Sequence, residues 1–312
     1  MRSLFVIVLV LFAISSAYSQ GPRSVSNLEK QGRESLAKGN YDMAIQTFTE
    51  VIGLTSQLVA KKKGRSNKFD AGRSGAEIDQ PGDGITVVDP RAASAYVWRG
   101  KAYLKKNDAE RAISDFSDAL RIAPAMRDAY YLRATGWLLE DRYDQAALDY
   151  TQTIKLEPAY AGGYVGRGIA RLESGDTRNA LADFEQAVRL APKDPLVYYR
   201  RGEALRRTCD PDGAHRDFER ALRIDPKYAS AYLGRGTLRL FERDLNGAFA
   251  DLSEAIRLDA SLAPAYAGRA YVELIRGAEA AAKTDLDLAL KLDPTLRSEI
   301  DSNLGAIRSW KH

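Results

Sequence analysis

Cysteine is nearly absent. Cys209 is the one thiol in 312 residues, so no internal disulfide can staple the chain and stability has to come from packing. Histidine is almost as scarce, with only His215 and His312. There is no cysteine cluster, metal-ligand spacing, phosphate-binding glycine loop or nucleophile elbow, so an enzyme would have no constellation to work with. No catalytic residue, metal or cofactor is expected. A dominant charge is lacking too. The 46 basic and 42 acidic residues leave a formal net charge of +4, too small an excess to act as an electrostatic footprint for nucleic acid. The apolar share of 45% and charged share of 28% are ordinary for a folded chain.

One long apolar run stands at the start. Met1-Arg2-Ser3 is a short positive segment, and the eleven residues from Leu4 to Ile14 are all apolar. Ala17 and Ser19 then supply small residues before Gln20. This pattern predicts a secretory signal peptide over 1–19. Eleven apolar residues fall short of the ~20 that span a bilayer, so no membrane span is expected after cleavage. No cysteine follows the run, which excludes a lipoprotein anchor. Scarce cysteine and the lack of any Asn-x-Ser/Thr site incline the expectation toward a bacterial periplasm, with secretion as the alternative.

The rest of the chain repeats. Segments beginning at Ala93, Arg127, Ala161, Pro195, Ala229 and Ala263 align every 34 residues without insertion or deletion. Position 4 is tyrosine throughout, from Tyr96 and Tyr130 to Tyr266. Position 8 is Gly or Ala, as in Gly100, Ala134 and Gly168. Position 20 is always alanine, position 24 is large and mostly aromatic (Phe116, Tyr150, Phe184), and position 32 is proline except at Ala260. Positions 4, 8 and 11 share one helix face, and 20, 24, 27 and 28 share one face of a second. Small residues at 8 and 20 permit close helix approach, and the proline ends each unit. A hairpin of this kind cannot cover its own apolar face, so the units must stack.

These segments resemble tetratricopeptide repeats in the small residue at 8, alanine 20, aromatic 24 and proline 32. Two departures recur: tyrosine replaces tryptophan at position 4, and arginine replaces leucine at position 7. The resemblance implies an all-α, right-handed superhelical α-solenoid of about seven helix-turn-helix repeats. Residues 25–57 form a first, atypical repeat, with Leu28, Gly32, Ala44 and Phe48 in the key positions. Residues 58–92 are polar and predict a flexible insert, basic from Lys61 to Arg73 and acidic beyond. Six tandem repeats fill 93–294, and 295–312 predict a capping helix through Leu296, Ile300, Leu304 and Ile307.

Two charged columns run through the six tandem repeats. Position 7 is arginine (Arg99, Arg133, Arg167, Arg201, Arg235, Arg269) and position 23 is aspartate (Asp115, Asp149, Asp183, Asp217, Asp251, Asp285). The first repeat breaks both together, with Gln31 and Thr47, which predicts an ion-pair ladder within each unit or to its neighbour. Cys209 falls in an inter-helix turn, where it is either a tolerated exposed substitution or an intermolecular disulfide. His215 falls at a position that sister repeats fill with apolar residues, so a partly packed structural histidine is expected.

The family resemblance also implies a concave groove lined by positions 2, 5, 6, 9, 12 and 13 of the first helices. Carried over, the second and third repeats offer Val97, Trp98 and Lys101, then Tyr131, Leu132 and Thr135. The fourth offers Val165 and Ile169, and the fifth Tyr199, Arg200 and Glu203 beside Arg206 and Arg207. Leu233, Thr237 and Tyr271 complete the set. The lysine and asparagine set with which some family members hold a terminal carboxylate is not present. An aromatic, apolar floor with one basic cluster suits a protein or peptide segment with apolar anchors. The expected function is an exported scaffold or adaptor. The alternative is an accessory subunit of an envelope enzyme or surface-polymer machinery, docking through the basic stretch of the insert.

Overall fold

The computed structural model describes residues 24–69 and 89–310. The proposed signal peptide and residues 70–88 of the insert lie outside the described residues. The chain divides into two compact units at Leu156/Glu157. The first unit holds α1 (Val25–Ala37), α2 (Tyr41–Phe69), α3 (Pro90–Lys105), α4 (Ala109–Ile122), α5 (Arg127–Leu139) and α6 (Tyr143–Leu156). The second holds α7 (Ala161–Glu173), α8 (Thr177–Leu190), α9 (Pro195–Arg207), α10 (Pro211–Ile224), α11 (Ala229–Phe241), α12 (Leu245–Leu258), α13 (Ala263–Ile275) and α14 (Glu279–Leu292). A 3₁₀ turn, Pro294–Leu296, then leads into α15 (Arg297–Trp310). The described residues are helical throughout apart from turns, and consecutive helices pack as hairpins.

Each hairpin is made by the same local chemistry. The first helix ends in a turn whose position 15 lies in the left-handed region: Gly39, Asn107, Asp141, Gly175, Cys209, Arg243 and Gly277 all have φ between 53° and 86°. The next residue's N–H reaches back to close the helix, as Asp108 N does to the Tyr103 carbonyl at 2.9 Å. That residue is often an aspartate that also caps the second helix. Asp108, Asp176, Asp210 and Asp244 each accept a backbone N–H three residues on. In each of these four hairpins a single aspartate thus ends one helix and starts the next.

The packing explains the small residue at position 8. A Cβ on Gly100 would meet the Phe116 ring at 2.6 Å, and Gly32, Gly168 and Gly202 face Phe48, Phe184 and Phe218 in the same way. Those four rings are fully buried, as are the alanines at position 20. The first repeat shares this steric core despite lacking the charged columns. There Thr47 is buried and turns its hydroxyl to its own helix, donating to the Met43 carbonyl at 2.7 Å.

The insert was expected to begin at residue 58, yet α2 continues to Phe69 and α3 already begins at Pro90. The stretch after Gln57 has too few apolar residues for a core, but Leu, Ala, Lys and Arg are good helix formers and no proline intervenes before Pro81. A helix already nucleated in the repeat can propagate through it. The C-terminal helix packs as expected, burying Ile300 and Ile307 against Ala267, Tyr271 and Ala289.

Candidate functional site

The charged columns form a ladder inside the hairpins. Each position-7 arginine donates its Nε and Nη2 to the two oxygens of the aspartate sixteen residues later, with all twelve distances between 2.6 and 2.9 Å. This is the bidentate fork for which arginine, not lysine, is suited. The remaining nitrogen of Arg99 reaches Thr49 of the preceding repeat, and that of Arg133 reaches Ser117. The aspartates are buried, and burial pushes the Asp115 carboxyl above the usual carboxylate range. For Arg133, Arg201, Arg235 and Arg269 the hydrogen bond to the aspartate holds the guanidinium charged more firmly than usual.

The position-4 tyrosines belong to the same device. All six position-7 guanidinium groups lie 5.4–5.9 Å from the ring centre of the tyrosine three residues earlier. Tyr198 and Tyr266 also donate their hydroxyls to the position-32 carbonyls of the preceding repeat, at Pro192 and Ala260. The two departures from the family pattern are therefore one unit: a tyrosine that covers an arginine that forks an aspartate. The two carboxylate oxygens and the Nε and Nη2 donors of every fork are consumed within the hairpin, so the ladder is structural.

The groove positions behave differently in different places. Within residues 157–310 a cavity of about 420 Å³ opens along α9, α11, α13 and α15. Its floor includes Tyr199, Glu203, Leu233, Thr237 and Tyr271 from the expected set, together with Arg206. In the first unit, Val97, Trp98 and Lys101 border a cavity of about 340 Å³ with Met126, Arg127 and Asp128. There the Lys101 ammonium sits 4.2 Å from the Trp98 ring centre.

The other expected positions line neither cavity. Tyr131 stands edge-on to Tyr150 at 5.5 Å. Thr135 donates to the Tyr131 carbonyl and lies 3.2 Å from the Tyr150 hydroxyl. Leu132 packs on the core around Phe116, and Val165 and Ile169 pack on the core around Val197. Arg200 lies 5.3 Å from the Tyr199 ring centre. The position-12 leucines Leu104 and Leu172 pack inside, as expected.

The larger cavity also has walls beyond the residues named from the sequence: two stand at an expected groove position, and one is a helix that the repeat register does not assign. Phe241, 64% exposed, and Ile275 stand at position 13 of the sixth and seventh repeats. The helix α15 supplies Glu299, Ile300, Asn303 and Ile307, and Asn303 donates to the Tyr271 hydroxyl at 3.3 Å. The apolar stripe of this helix is visible in the sequence as a cap. That a cap stacked on the last hairpin continues the row of first helices, and so becomes a groove wall, follows only from the packing. Burial is strong at the opposite end, where the Tyr199 hydroxyl is pushed up to about 12, chiefly by desolvation and then by the Glu203 charge.

His215 is half-buried with its Nε2 3.2 Å from a Glu242 oxygen, and Cys209 is a free, exposed thiol. Among the described residues no three metal-ligating side chains come together. No helix of the described residues is long and apolar enough to cross a membrane.

Family models described as the tetratricopeptide repeat match residues 93–126 and, in three overlapping placements, 140–195, 165–229 and 199–263. Together they cover a little over half of the chain. The chain belongs to the tetratricopeptide repeat family. A DnaJ homolog subfamily C member 7 homolog from Dictyostelium discoideum is 27% identical over 107 residues. That match covers 33% of this chain and 20% of the relative, so the chain spans about a fifth of that protein's length. Among solved structures, the anaphase-promoting-complex assembly Cut9-Hcn1 superposes with a TM-score of 0.61 at 18% identity, covering 88% of this chain and 54% of that one. PilF of Pseudomonas aeruginosa superposes with a TM-score of 0.54 at 21% identity, covering 65% and 93%. At these identities the likeness is one of fold. Tetratricopeptide arrays are protein–protein interaction scaffolds, in general without catalysis of their own.

Proposed function

We propose that this tetratricopeptide repeat protein is an exported adaptor that holds a peptide segment of a partner protein in the groove of residues 157–310. The observation that carries the reading is the cavity along α9, α11, α13 and α15, apolar in its floor and open at Phe241. A large exposed aromatic beside a preformed apolar cavity is the anatomy of a binding surface. The apolar run from Leu4 to Ile14 supports export, with the periplasm as the favoured compartment.

Photo-crosslinking in the native host tests the groove. With a benzophenone side chain at Phe241, a discrete adduct is expected that disappears when Tyr199→Ala and Leu233→Ala are added. The same probe at Leu148, 67% exposed on α6, should give none. Equal labelling at both sites would contradict the groove. N-terminal sequencing of the protein recovered from its host tests export: a chain beginning at Gln20 is expected, and one retaining Met1 contradicts it.

A further inference from the structure

Nine arginines stand on the first helices of the four hairpins in residues 157–310, that is on α7, α9, α11 and α13. Eight of them give at least one N–H to a carboxylate of the chain. Arg200 gives none. It is half-buried, its Nε is shut away from solvent without an acceptor, and its one contact of note is the Tyr199 ring at 5.3 Å. Tyr199 is itself braced edge-on by Tyr228 at 5.7 Å and lines the groove cavity. The same register in the neighbouring repeats is Gly166 and Gly234, so no side chain flanks the guanidinium there. Further along α9, the Arg206 Nε is buried without an acceptor as well, and its terminal nitrogen meets Glu203 only at 3.2 Å.

A buried donor left unmade is costly, and a guanidinium held over an aromatic ring presents a planar fork that suits a two-oxygen acceptor. We infer that Arg200 is the subsite for an aspartate or glutamate side chain within the bound segment, next to an apolar residue that enters the cavity by Leu233 and Phe241. This rests on the groove reading above and adds the charge of the partner to it. The acceptor is an internal carboxylate, because the lysine and asparagine set that holds a terminal one in some family members is not present in this groove.

The test is a selection of random twelve-residue peptides, inserted in a scaffold loop so that no free carboxyl terminus is offered, on the whole chain and on its Arg200→Gln and Arg200→Lys variants. Wild-type protein should enrich peptides with Asp or Glu at a fixed spacing from a large apolar residue. The Arg200→Gln protein should keep the apolar preference and lose the acidic one, and Arg200→Lys should retain part of it. For one enriched peptide, replacing its Glu by Gln should weaken binding to wild type about tenfold or more and to Arg200→Gln less than about twofold. Unchanged thermal melts of the variants show that the fold is intact. Apolar enrichment without an acidic partner, or equal acidic enrichment on Arg200→Gln, overturns the subsite while leaving the groove standing. Enrichment no better than on blank support removes the groove and the subsite together.

Discussion

Arg200 and Arg201 are adjacent in sequence and lie in two regions of opposite character. Arg201 is on the inner face of its hairpin, forked onto the buried Asp217 at 2.7 Å and covered by Tyr198. Arg200 lies over the ring of Tyr199, which lines the groove cavity, and has no acceptor of its own. The first recurs at the same position in six repeats; the second occurs once. In a stacked array every unit solves the same packing problem, so a charge that recurs in every unit serves the stack. A charge that appears in one unit, and that the unit leaves unpaired, is available to a partner.

The largest test of that contrast is on the ladder. Arg201→Leu should cost about 3–5 kcal/mol, because it strands a buried carboxylate, whereas Arg201→Leu with Asp217→Leu should come back to within about 1–2 kcal/mol of wild type. Denaturant unfolding of the single and double variants reads this directly. Arg167→Leu should cost less than Arg201→Leu, since Arg171 still donates to Asp183 at 2.7 Å. Equal costs would mean that the second arginine contributes nothing.

Alkaline stability sharpens the groove side. Tyr199 keeps its proton up to about 12 in the folded chain, against an ordinary value near 10. Its contribution is therefore complete below pH 10 and lost as pH climbs to 12. Tyr199→Phe should flatten the alkaline fall of stability by up to about 2–3 kcal/mol, measured by unfolding at pH 9 and pH 12. An unchanged slope would place the loss elsewhere.

Packing effects come next. Gly168→Ala should cost about 1–3 kcal/mol by driving a Cβ into the Phe184 ring. Adding Phe184→Leu, which copies the Ala270/Leu286 pairing of the seventh repeat, should recover much of that loss. Cys209→Gly should instead stabilise, by about 1 kcal/mol, since Cys209 holds a left-handed turn at φ 58° that glycine adopts without strain. A destabilised Cys209→Gly chain would point to a packing role for the thiol. The smallest effect is expected at Arg200→Gln, within about 0.5 kcal/mol of wild type.

Much of the fold is legible in the residues themselves. The 34-residue period, the small position 8 under the ring at 24, and the paired loss of the arginine and aspartate at Gln31 and Thr47 all carry their structural meaning in plain view. Other features depend on distances that a pattern does not contain. Tyrosine at 4 and arginine at 7 look like two separate departures until the rings are seen over the guanidinium groups. Carried-over groove positions do not distinguish Val165, which is buried in its own core, from Leu233, which borders open space. The wall supplied by α15 depends on where the last helix docks. The length of α2 depends on propagation from an existing helix, which composition alone does not report.

The most direct test compares Arg200→Gln and Arg201→Leu side by side for melting temperature and for capture of groove-selected acidic peptides at a temperature where both are folded. Opposite outcomes are expected: Arg200→Gln melts with wild type and loses the acidic peptides, while Arg201→Leu melts clearly lower and still captures them. If Arg200→Gln lowers the melting temperature and leaves capture unchanged, the division between a structural face and a binding face is wrong.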